Sequence, residues 1–147
     1  MKIYLDNCTF NRPFDNQNFI KIRIETEAKL FIQEKIKDGK YELIWSYILH
    51  AENNANPYDE RKNQIIKWHS YSKLTIIENK EILNNSRKIN KLNIKSKDSL
   101  HIACAIFGNC SYFITTDDLL VKRNALIKNI EIVYPTNFIE LEENNYD

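Results

Sequence analysis

The feature that most constrains this chain is a regular alternation of strand-type and helix-type segments along its whole length. Short apolar runs rich in strand formers occur at residues 3–5, 42–46, 74–77, 112–116 and 131–134. Between them lie segments whose apolar residues recur at helical spacing. In 18–37 these are Ile20, Ile24, Ala28, Phe31, Ile32 and Ile36, and Asp38-Gly39 supplies a helix stop. Further helices are predicted over 47–54, 59–70, 80–92, 96–107 and 119–126, with Ser96 as a cap for the fifth of these six and Gly108-Asn109 ending it. A chain that alternates in this way can bury its strands only by covering both faces of a sheet with the intervening helices. The expectation is an α/β fold: a mostly parallel, five-stranded sheet with right-handed crossovers.

Length and composition narrow the class. The 147 residues, 43% hydrophobic, suit a single domain over 1–147 with a core of its own. No repeat or linker divides it, and an acidic tail from about 140 is expected to fray. The net charge of +1 excludes a histone-like binder but not an enzyme with a local basic surface. Cys8, Cys104 and Cys110 have neither disulfide pairing nor CxxC spacing, which argues against a thiolate zinc site. No apolar run approaches the ~20 residues of a membrane span, and the first residues do not read as a signal peptide. A cytoplasmic setting without membrane partners is the expectation.

In open parallel sheets, ligands bind beyond the carboxyl ends of the strands. That rule selects particular acids. Asp6 follows the first strand, Glu52 lies two helical turns past the second, and Asp117 and Asp118 follow the fourth. Asp98 sits in the first turn of the helix feeding the fourth strand. Taken singly, each is more often a turn residue or helix cap than a catalyst. Together they would repel one another unless a cation neutralised them. Oxygen-only donors select hard ions, here Mg²⁺ or Mn²⁺. Such a site suits phosphodiester hydrolysis.

These residues also carry a resemblance. The chain resembles the PIN-domain family of metal-dependent ribonucleases in four segments: Ile3-Tyr4-Leu5-Asp6, Ser46 with Glu52 six residues on, Lys97-Asp98-Ser99-Leu100-His101-Ile102-Ala103, and Thr115-Thr116-Asp117. The resemblance implies a PIN-like fold and a catalytic, metal-binding set of Asp6, Glu52, Asp98 and Asp117. It also implies a hydrogen-bonding role for Thr115. Many members are toxins of toxin–antitoxin pairs, so it implies an RNA substrate, a small antitoxin partner and a homodimer. The chain departs from the pattern at Asn7-Cys8, where many members have Thr-Asn; Asn7 is the candidate for that polar role. Asp118 beside Asp117 leaves a one-residue ambiguity, which the T-x-D spacing resolves toward Asp117, with Asp118 in support.

Around this set, Arg12 is a candidate phosphate clamp, or else a surface partner of Asp15. Lys97 closes a basic stretch with Lys88, Lys91 and Lys95 that could track a nucleic-acid backbone. His101 reads as a buried, hydrogen-bonded histidine ahead of a general acid or ligand. Trp45 and Trp68 read as core. Two other functions compete: a PIN-like module that binds RNA or protein without cutting, and a phosphatase with Asp6 as nucleophile. The filled acidic positions oppose the first. Cys8, where such phosphatases carry a second Asp, opposes the other.

Overall fold

The computed structural model describes residues 1–143. Its five strands are β1 (Lys2–Leu5), β2 (Glu42–Ser46), β3 (Ser72–Ile76), β4 (Tyr112–Ile114) and β5 (Glu131–Val133). They form one sheet in the order β3-β2-β1-β4-β5, with every neighbouring pair parallel. The expected α/β fold is therefore present, and its sheet is wholly parallel. Helices cover both faces, so the inner strands read as continuous apolar runs. Ile3, Tyr4, Leu5, Leu43, Ile44, Trp45, Phe113 and Ile114 are completely buried.

The helices are α1 (Asn7–Asn11), α2 (Ile20–Lys37), α3 (Tyr47–Asn54), α4 (Asp59–Ile66), α5 (Lys80–Asn90), α6 (Ser96–Phe107), α7 (Asp118–Lys122) and α8 (Pro135–Glu143). Two of them were not legible in the sequence. α1 has five residues, too few to show a periodicity, and it leads into a 3-10 turn over Arg12–Phe14. α8 carries the acidic tail in helical form to Glu143; there Glu142 accepts from the Tyr112 hydroxyl at 2.8 Å and Glu143 from Lys40 at 2.7 Å. The rest of the tail expected to fray, residues 144–147, lies outside the described part.

α2 corrects another expectation. Ile20, Ile24 and Phe31 were read as part of its buried stripe, yet they are 65%, 51% and 36% exposed. The face that α2 buries carries Glu25, Thr26, Ala28, Lys29, Ile32, Gln33 and Ile36. Two of these polar side chains are matched by Arg12, on the turn after α1: it pairs with Glu25 at 3.0 Å, and its carbonyl accepts from the Thr26 hydroxyl at 3.2 Å. At the end of α6, Asn109 rather than Gly108 takes the left-handed backbone (φ 59°). Gly108 is needed for space: a Cβ there would stand 3.1 Å from Ile44 Cγ2 and 3.3 Å from Ile76 Cδ1.

Candidate metal centre

The chain runs outward from β1 through β2 to β3, then returns to place β4 and β5 on the other side of β1. The topological switch point therefore lies between β1 and β4, where the carboxyl ends of parallel strands open a crevice. Asp6 leaves β1 at that point and caps α1, while Thr115–Asp117 leave β4 beside it. The backbone ties the two exits together, with Asp6 N–H donating to the Ile114 carbonyl at 3.0 Å.

Asp6 is 5% exposed and closely held. Its Oδ1 accepts from the Asn7 backbone N–H at 2.8 Å. Its Oδ2 accepts from the Thr115 hydroxyl at 2.9 Å and from the Cys8 thiol at 3.4 Å. Thr115 Oγ1 also accepts from the Asp117 backbone N–H at 3.1 Å. One hydroxyl thus joins the β1 and β4 exits. The polar role expected of the Asn7 side chain is taken by its backbone and by Cys8; Asn7 Oδ1 itself is buried without a partner. Burial, then the charge of Asp6, pushes the Cys8 thiol up to about 12. Cys8 therefore stands as a thiol donor to Asp6.

Glu52 is oriented from behind. His101 is fully buried on α6, its Nε2 3.1 Å from Glu52 Oε1 and its Nδ1 2.6 Å from the Tyr4 hydroxyl. Tyr4 is also 2.6 Å from Ser46 Oγ, which accepts from the Leu49 backbone N–H at 3.1 Å. A relay thus runs from Ser46 through Tyr4 to His101, whose Nε2–H donates to Glu52. Burial acts to raise the Glu52 carboxyl. The hydrogen bond and the charge of His101, then the Lys97 ammonium 3.7 Å away, outweigh it and hold Glu52 below its ordinary value. Asp6, Glu52 and His101 each bring a donor atom within 4.8 Å of the others. Both His101 nitrogens are already engaged, so its place is behind Glu52 and not on an ion.

Asp98 is half-buried. Burial first, then the charges of Asp6 and Asp117, push its carboxyl up to about 6. Asp117 caps α7 through Oδ1, which accepts from Leu119 and Leu120 N–H at 2.9 and 3.3 Å. Asp118 faces elsewhere: it is exposed and bonded to Lys21 at 3.2 Å and to the Tyr134 hydroxyl at 2.7 Å. Arg12 is committed to Glu25 at 3.0 Å and Asp15 at 3.1 Å, so the structure favours its ion-pair reading over the phosphate clamp. Lys97 is 61% exposed beside Glu52. Tyr4, Ser46 and Cys8 were absent from the candidate site set. A tyrosine and a serine within apolar strands carry no local mark of function, and Cys8 showed only as a departure from a pattern.

The donor set fits a hard divalent cation. It offers carboxylate oxygens, pre-oriented by neutral donors behind them, and mutual repulsion that shows in the raised Asp98 carboxyl. A cleft of about 600 Å³ lies at the opposite, amino end of the strands, lined by Asn85, Asn109 and Ser111 among others, and contains none of these acids.

No family model matches the sequence, and no curated protein matches it. Solved structures do. A chain of VapBC2 from Rickettsia felis, bound to a DNA fragment from its promoter, superposes with a TM-score of 0.56 at 14% identity, covering 91% of this chain and 99% of that one. A chain of VapBC-1 from nontypeable Haemophilus influenzae gives a TM-score of 0.58 at 19% identity, covering 92% and 99%. The chain has the PIN-like fold. The resemblance read from four short segments thus holds for the architecture as a whole. Within the PIN-like fold, Asp6 and Asp117 stand at the β1/β4 crevice, and α3 and α6 bring Glu52 and Asp98 toward it.

Proposed function

We propose that this protein is a metal-dependent endoribonuclease that hydrolyses RNA phosphodiester bonds, and that it is the toxin of a toxin–antitoxin pair. The observation that carries the reading is the gathering of acids at the β1/β4 crevice, where Asp98 is held near a pKa of about 6 by burial and by Asp6 and Asp117. A group left in that state is relieved by a cation.

Asp6, Glu52, Asp98 and Asp117 would hold Mg²⁺ or Mn²⁺. When bound, the ion polarises a phosphate oxygen and activates a water. The chain's own contributions are positional and electrostatic. Thr115, Cys8 and the Asn7 N–H fix the Asp6 oxygens. His101 fixes Glu52 and keeps it ionised. Lys97 offers an exposed cation to the substrate phosphate, and Lys88, Lys91 and Lys95, which precede it in the sequence, are exposed as well.

The partner half of the proposal rests on α2. Phe19, Ile20 and Ile24 are 61%, 65% and 51% exposed, a contiguous apolar stripe of the kind that marks a protein interface. A small antitoxin is the proposed occupant, with a homodimer as a further assembly. No helix among the described residues is long and apolar enough to cross a membrane.

The test is cleavage of mixed single-stranded RNA with Mg²⁺ or Mn²⁺, run beside Asp98→Asn. The native protein should cut and the variant should lose at least a hundredfold. Equal cleavage by both, or none by the native protein with either ion, would overturn the nuclease reading. Expression alone should arrest growth, and Asp6→Ala should relieve the arrest.

A further inference from the structure

The buried face of α2 holds a lysine that the centre above does not use. Lys29 is 4% exposed, and its Nζ lies 5.4 Å from the centre of the Phe10 ring. Gln33 follows one turn later on the same face, 5% exposed, and its Nε2 is buried without a partner. Both line a cavity of about 220 Å³ walled by Phe10, Phe14, Ile65 and Trp68. Glu25, one turn before Lys29, pairs instead with Arg12 at 3.0 Å, and Asp15 is taken by Arg12 and Arg61. No carboxylate acts on Lys29; burial alone bears on its ammonium and drives it down to about 7.

Burying a lysine side chain with only a ring face against its ammonium is costly, and an unsatisfied amide beside it adds to that cost. An apolar wall with convergent unpaired polar groups is the general form of a ligand site. The missing group must be anionic to match the ammonium, and it must bring acceptors for an N–H. We infer that the Lys29–Gln33 cavity is a receptor for a carboxylate carried on a short apolar or aromatic stem. Lys29 makes the charged contact, Gln33 the neutral one, and Phe10 and Trp68 enclose the stem. The volume is below that of drug-sized pockets, so the occupant is a small free acid or a single acidic side chain. The site is independent of the nuclease reading.

The test uses the full chain, with Lys29 Cε followed by NMR as the pH is varied. Benzoate represents a free acid, an acetylated Leu-Glu-Leu amide represents an acidic side chain, and benzyl alcohol is the uncharged control. Binding of benzoate or of the peptide should move the Lys29 titration to higher pH, and the control should not. Lys29→Met should weaken binding about ten- to a hundredfold, as expected for a hydrogen bond to a charged group. Gln33→Leu should weaken it less. Both variants should melt at or above the native temperature: Gln33→Leu removes a buried unpaired amide nitrogen, and Lys29→Met removes a charged group from a buried side chain. Binding by benzoate alone identifies a free acid, and binding by the peptide alone a protein side chain; either supports the receptor. Failure of both, equal binding by Lys29→Met, or equal binding by benzyl alcohol would overturn it.

Discussion

Asp98→Asn should stabilise the metal-free protein while abolishing its response to metal. The Asp98 carboxyl rises from 3.8 to about 6 on folding. The folded state therefore holds the proton more tightly than the unfolded chain does. Stability is greatest at low pH with respect to this group, falls as pH rises from about 4 to about 6, and is level above that. At 1.36 kcal/mol per unit the ceiling is roughly 3 kcal/mol. Asp98 is only half-buried, and solvent screening reduces this to about 1–2 kcal/mol. Asparagine keeps the shape and has no proton to lose. In EDTA at pH 7.5 the variant should melt above the parent by about 2–4 °C for each kcal/mol, as expected for a domain of this size. The gap should close as pH approaches 4. Adding Mg²⁺ or Mn²⁺ should raise the native melting temperature, by about 2.7 kcal/mol of stabilisation at a hundred times the dissociation constant. The variant should gain much less. Scanning calorimetry across pH 4–8, with and without ion, gives all four quantities. A variant no more stable than its parent at pH 7.5 in EDTA would refute the repulsion argument. An equal response to metal would refute the role of Asp98 at the ion.

Two further outcomes follow from the groups behind the carboxylates. Tyr4→Phe should destabilise the protein by about 1–3 kcal/mol, because it leaves His101 Nδ1 and Ser46 Oγ short of a partner in a buried site; a denaturant melt within about 0.5 kcal/mol of native, the range of neutral surface changes, would contradict the relay. Cys8, pushed up to about 12 by burial and by Asp6, should resist iodoacetamide at pH 8 in the native protein and react once unfolded. Mass spectrometry showing full native labelling would contradict its role as a thiol donor to Asp6.

Much of the fold was legible because it is written locally. Strand runs and helix periodicities need only neighbouring residues, so the β1 to β5 order and the long helices α2, α3, α5 and α6 came out near their observed bounds. What failed was either too short or decided elsewhere. α1 spans little more than a turn. The stripe of Ile20, Ile24 and Phe31 has correct helical spacing, but spacing does not say which face a neighbour will cover. α2 turns inward a polar face on which Arg12 matches Glu25, a pairing that no local spacing encodes.

The acids were named from sequence for a physical reason: a side chain at a strand's carboxyl end must emerge at the same edge as its parallel neighbours. Whether they meet depends on strand order, and that is a long-range property. Placing β1 between β2 and β4 requires chain segments about a hundred residues apart to close on each other, which no local pattern encodes. The same holds for the groups that orient the acids. Tyr4 and His101 are 97 positions apart, and Thr115 and Asp6 are 109 apart. The sequence by itself determined the type of fold and which acids could face one crevice. The tertiary structure supplied what holds two of them, Thr115 and Cys8 on Asp6 and His101 on Glu52, and it alone decided that Lys29 is buried against the Phe10 ring with no carboxylate to meet it.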